Sequence, residues 1–60
     1  MAELSQEKLA KARKLFGNDV VSEVQMLVDL ADTDSAYTQY EDMGQHLHAE
    51  CVEFLYFEND

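Results

Sequence analysis

Tyr37-Thr38-Gln39-Tyr40-Glu41-Asp42-Met43-Gly44-Gln45-His46-Leu47-His48-Ala49-Glu50-Cys51-Val52-Glu53-Phe54-Leu55-Tyr56-Phe57 is the stretch whose reading decides the fold. Through it Tyr37, Tyr40, Gly44, Leu47, Cys51 and Phe54 recur at alternating steps of three and four, the spacing of a heptad seam, with Leu55 broadening it. Asp42, His46, Glu50 and Glu53 fall on the far side. Glycine in a helix interior costs about 1 kcal/mol relative to alanine, so the spacing predicts either one long helix or two short ones hinged at Gly44. The run from Val52 to Phe57 is rich in residues that favour strands, which makes a short C-terminal strand over residues 52–57 the structural alternative.

Upstream, Asp32-Thr33-Asp34-Ser35 is a run of turn and cap residues. Before it, Val20, Val24, Leu27, Val28 and Ala31 recur at helical spacing and predict a helix over residues 19–32, with Asn18 or Asp19 as its cap. Residues 5–16 predict a further helix. Ser5 is its N-cap, Glu7 lies in the first turn, and Lys11, Arg13 and Lys14 lie near the C-terminus, an order that suits the helix dipole. Gly17 is placed to end that helix in a left-handed conformation. The expected fold is therefore all-α: a single domain over residues 1–60, forming a small three-helix bundle or a helical hairpin plus a third helix. Its expected buried set is Leu9, Leu15, Phe16, Val20, Val24, Leu27, Val28, Leu47, Cys51 and Phe54.

A chain of 60 residues has a small core and gains stability from disulfides, metals or association. Cys51 is the only cysteine, so no internal disulfide forms, and a lone thiol fits a reducing compartment. The N-terminus lacks the apolar core of a signal peptide, and no apolar run is long enough for a membrane span. A cytoplasmic protein is expected. Met26, Leu30 and the aromatic residues exceed what one short helix can hide, which makes a homodimer the expected assembly.

The net charge is −9, and its distribution says more than its size. All four cations, Lys8, Lys11, Arg13 and Lys14, lie in the first 14 positions, whereas residues 15–60 hold eleven acids and no Lys or Arg. Such a surface cannot neutralise phosphates, so direct nucleic-acid binding and attachment to anionic membranes are excluded. The natural partner is basic.

Catalytic and metal-binding patterns are weak. His46, His48, Glu50 and Cys51 are possible metal ligands, but on a helix they point in different directions and have no second set to complete a tetrahedron. The expectation is exposed histidines, a core cysteine, and neither metal nor other cofactor. Asp29 to Asp34 lacks the central glycine and ligand spacing of a calcium loop. A nucleophilic Cys51 would need a cationic setting, and its neighbours are apolar or acidic. The chain is expected not to be an enzyme.

Carboxylates three or four residues apart on a helix stand about 5–6 Å from one another, slightly closer than successive phosphates on a DNA strand. Asp19, Glu23, Asp29 and Asp32 on the second helix, with Asp42, Glu50 and Glu53 on the third, are the candidate rows. In size, charge and its cation-free stretch the chain resembles the small acidic DNA-mimicking inhibitors of phages and mobile elements, such as anti-restriction and anti-CRISPR proteins and inhibitors of uracil-DNA glycosylase. That resemblance implies a non-enzymatic inhibitor whose partner is a basic nucleic-acid-binding protein. The rival reading is a dimeric helical interaction module, an antitoxin-like regulator or adaptor, binding through the apolar seam with Met26, Leu30, Phe54 and Phe57.

Overall fold

The computed structural model describes residues 4–57; Glu3, Glu58 and Asp60 of the charge pattern lie outside them. The fold is all-α, as expected, but it has four helices: α1 (Gln6–Phe16), α2 (Asn18–Leu30), α3 (Thr33–Asp42) and α4 (His46–Val52), followed by a π-helical segment (Glu53–Phe57).

Ser5 caps α1, its side chain accepting a hydrogen bond from the Lys8 N–H at 3.1 Å. Gly17 then serves two helices at once. Its N–H donates to the Arg13 carbonyl at 2.9 Å, and its own carbonyl accepts from the Val21 N–H at 3.1 Å. Its φ of 97° is positive as expected, but its ψ of 152° is extended rather than left-handed helical. That region is open to almost no residue but glycine. The sequence expected Asn18 or Asp19 to cap α2, but neither does: Gly17 leaves no linker, and both residues are already inside the helix.

The next junction falls at the very start of the Asp32–Ser35 run rather than through it. The chain turns at Ala31 and Asp32, and the Asp32 carboxylate caps α3 by accepting from the Ser35 N–H at 2.7 Å. Thr33, Asp34 and Ser35 form the first turn of α3.

Gly44 ends α3 at φ 74°. The Gln45 N–H donates to the Tyr40 carbonyl at 2.9 Å, and the Gly44 N–H to the Glu41 carbonyl at 3.1 Å. This paired closure is the Schellman motif, with glycine in the left-handed position. It resolves the sequence alternative in favour of two short helices, and it corrects the heptad seam. Because the chain leaves helical geometry at Gly44, the phase shifts in α4: Cys51 and Leu55 are buried as the seam expects, Ala49 and Val52 join them, and Leu47 is 48% exposed. Leu15, the other mistaken core residue, is exposed on α1, where Leu9 and Ala12 face the core.

Residues 52–57 form no strand, and among the described residues there is none for them to pair with. A helix satisfies its backbone internally and so needs no partner edge. The π-helical segment sends consecutive side chains to different neighbours. Phe54 meets Phe16 of α1 with ring centroids 6.0 Å apart, Leu55 enters the core, and Phe57 meets Tyr37 of α3 at 5.6 Å. The core joins Leu9, Ala12, Val21, Val24, Ala36, Tyr40, Ala49, Cys51, Val52 and Leu55. Alanines at three of these positions let the helices approach closely. Phe16, Val20, Leu27, Val28 and Phe54, from the expected set, pack around this core while only partly buried.

Candidate functional site

Asp19, Glu23, Asp29, Asp32, Asp42, Glu50 and Glu53 are all exposed, but the structure does not align them in the expected rows. On α2, Asp19 and Glu23 share a face at i, i+4 spacing. Six residues of helix then turn through about 600°, which places Asp29 about 120° around the axis from Glu23. The stripe that continues from Asp19 and Glu23 passes instead through Met26 and Leu30, both strongly exposed. Asp32 spends its carboxylate on the α3 cap. Asp42 ends α3 on the far side of the Gly44 turn from Glu50 and Glu53, so these three do not share a helix face.

Glu23 has a further role. Its Oε1 lies 2.7 Å from Nε2 of His48 on α4, and its backbone carbonyl accepts from the Tyr40 hydroxyl at 3.3 Å. The Tyr40 and His48 rings stack obliquely, 4.9 Å between centroids. Three helices are thus tied at one point, and His48 is half-buried rather than exposed as the sequence suggested. The signal was present: Tyr40 and His48 lie four residues either side of Gly44, so a tight turn there sets them opposite each other. His46, in contrast, is exposed, its Nδ1 3.8 Å from Glu41 Oε2.

One edge of the α3–α4 hairpin gathers groups that the sequence did not connect. Tyr37 lies edge-on to Phe57 at an interplanar angle of 67°. The negative charge of Glu41, one turn along α3, raises the Tyr37 hydroxyl pKa, with smaller upward contributions from burial and from Glu53. Glu41 was absent from the candidate rows, yet it is the acid that α3 turns toward α4. Tyr56 is likewise raised, first by burial and then by the charge of Asp29 on α2.

Cys51 is fully buried, and loss of solvent pushes its thiol up to about 11. That environment suits a core side chain and suppresses the thiolate a nucleophile needs. Among the described residues, no three His, Cys, Asp or Glu side chains converge on a point that could hold a metal ion. A groove of about 500 Å³ runs beside α1, bordered by Lys8, Lys11 and Phe54, with Lys8 Nζ 5.6 Å from the Phe54 ring centre. No helix among the described residues is long and apolar enough to cross a membrane. The charges are divided in space as they are in sequence: Lys and Arg occur on α1 alone, and α2 through the C-terminal segment carry only acids and two histidines. The chain matches no family model, no curated protein and no solved structure.

Proposed function

We propose that this protein is a non-enzymatic inhibitor that binds a basic nucleic-acid-binding protein through its acidic surface, in the manner of DNA-mimicking anti-CRISPR or anti-restriction proteins. One observation carries the reading. From α2 to the π-helical segment every described acid is exposed and no Lys or Arg lies among them. An uncompensated field of this kind repels nucleic acid and speeds encounter with cationic grooves. Of the seven acids in the expected rows, Asp19, Asp29, Asp42, Glu50 and Glu53 are left for a partner, since Asp32 serves a cap and Glu23 is held by His48; exposed Glu41 and Asp34 add to them.

The test is retention of a nucleic-acid-binding protein on the immobilised chain, in a form that added duplex DNA displaces and that salt weakens steeply. The chain should also inhibit DNA binding by the retained protein. Glu50→Lys with Glu53→Lys should abolish retention and leave the helical signal intact, because both side chains are exposed. Binding that ignores both salt and DNA would overturn the proposal.

A second reading has its own support. Leu30 is 79% exposed and Met26 62% exposed on one face of α2, a costly arrangement for a monomer in water. A helical interaction module or homodimer would bury that face. In that case sedimentation shows a dimer at micromolar concentration, and Met26→Ala or Leu30→Ala dissociates it with little dependence on salt.

A further inference from the structure

The edge of the α3–α4 hairpin carries more than charge. Two aromatic rings meet there at 67° with centroids 5.6 Å apart, and the outer ring, Phe57, is 41% exposed. Glu41 stands one turn from Tyr37 on α3, Glu53 stands four residues before Phe57 at the start of the π-helical segment, and both acids are exposed. His46 extends the edge beyond Glu41. An exposed ring bordered by two carboxylates offers a cation two attractions at once, the negative face of the ring and the charge of the acids.

We propose that this Tyr37–Phe57 corner, with Glu41 and Glu53 at its rim, is the anchor point for an arginine side chain of the basic partner. The inference rests on the proposed function and deepens it by naming where recognition concentrates. Arginine fits better than lysine. Its planar guanidinium can lie against an aromatic face while its edge N–H groups donate to carboxylates, whereas a lysine ammonium is a compact and strongly hydrated point charge. Asp19 and Asp29 on α2 stand on a different helix from this corner and contribute long-range attraction.

Titration of the full chain with a short arginine-rich peptide, and with a lysine-rich peptide of equal length, tests this at low salt. The arginine peptide is expected to bind several-fold more tightly, with its largest amide shifts at Tyr37, Glu41, Glu53 and Phe57. Glu41→Gln with Glu53→Gln should weaken it about tenfold, and Phe57→Leu, which keeps apolar bulk but removes the ring, about threefold. Asp19→Asn with Asp29→Asn removes the same charge elsewhere and should have a clearly smaller effect. If that pair weakens binding as much as the Glu41 and Glu53 pair, or if the lysine peptide binds equally well, the corner is not the anchor and the broader acidic-surface reading survives. If neither peptide binds at low salt, both fail. Circular dichroism of each variant separates a lost site from a lost fold.

Discussion

The two halves of this chain are both helical hairpins, and they differ in how a glycine joins them. Gly17 alone connects α1 to α2, with its N–H closing one helix and its carbonyl opening the next. Between α3 and α4 the chain leaves the helix through Met43, Gly44 and Gln45 and re-enters with a new phase. In the first half, each apolar pattern stays within one helix, and both helices fall within two residues of their expected ends. In the second, a six-residue heptad pattern runs straight across the turn and misleads. Periodicity describes side chains only while the backbone stays helical.

Leu55, inward by both the seam and the structure, and Leu47, inward by the seam alone, give the largest expected effect. Leu55 is 2% exposed, and Leu55→Ala should cost about 2–5 kcal/mol. A domain of this length holds only roughly 3–9 kcal/mol in total, so much of the fold would be lost. Leu47, on the expected seam but exposed, should tolerate alanine within about 0.5 kcal/mol. Urea unfolding of the two variants decides between the phases. Equal destabilisation would restore the continuous seam.

Alkali should divide the halves next. Every tyrosine and the cysteine with a raised pKa lies from Tyr37 onward. The Cys51 thiol rises from 9.0 to about 11 through burial. The folded protein therefore keeps a proton that the unfolded chain has already lost, and stability present below the unfolded value declines as pH rises from about 9 through about 11. A shift of that size corresponds to about 2–3 kcal/mol. Tyr40 and Tyr56, both raised chiefly by burial, act in the same direction. Chemical denaturation across this range should show the decline, and Cys51→Ala should flatten it. A profile unchanged by that substitution would remove Cys51 as the cause.

The glycines themselves can be told apart. Gly44 occupies the left-handed region that asparagine enters readily, so Gly44→Asn should cost less than about 1 kcal/mol. Gly17, with positive φ and extended ψ, has no such substitute, and Gly17→Asn should cost about 1–3 kcal/mol. An added Cβ meets no atom within 4 Å at either position, so thermal melts of the two variants chiefly compare backbone strain.

Local signals in this sequence were legible because each acts over one turn. Ser5 before Glu7, the basic end of α1, and the turn residues around Asp32 mark helix ends through hydrogen bonds that span three or four residues. Relations between helices were hidden. The Tyr40–His48–Glu23 tie and the Tyr37–Phe57 corner depend on how the Gly44 turn folds α4 back onto α3, and no single helix records that. The acidic surface lies between these cases. Its charge and exposure follow from composition, but the expected rows assumed that acids near in sequence share a face. On α2 the face of Asp19 and Glu23 passes to Met26 and Leu30 instead. Likewise Val52–Phe57 has the composition of a strand, yet each of its large side chains finds a helix to pack against.

The smallest expected effect concerns the helix ends, where the halves again diverge. Arg13 and Lys14 occupy the last turn of α1 and stabilise the negative end of its dipole, whereas α2 and α3 have no basic residue there. Asp42, the last residue of α3, is an acid at the end where a cation belongs. Asp42→Lys should therefore stabilise the protein by about 0.3–1 kcal/mol at low salt, less as salt rises, and should also relieve repulsion among its acidic neighbours. Lys14→Glu on α1 should destabilise by a similar amount. Paired melts at two ionic strengths measure both. A stabilising Asp42→Lys would show that the free protein carries an acid its own fold does not use, which is what a surface shaped for a cationic partner requires. A neutral or destabilising result would mean that the charge at the end of α3 already serves the fold, and would leave that end of the acidic surface without a claim on a partner.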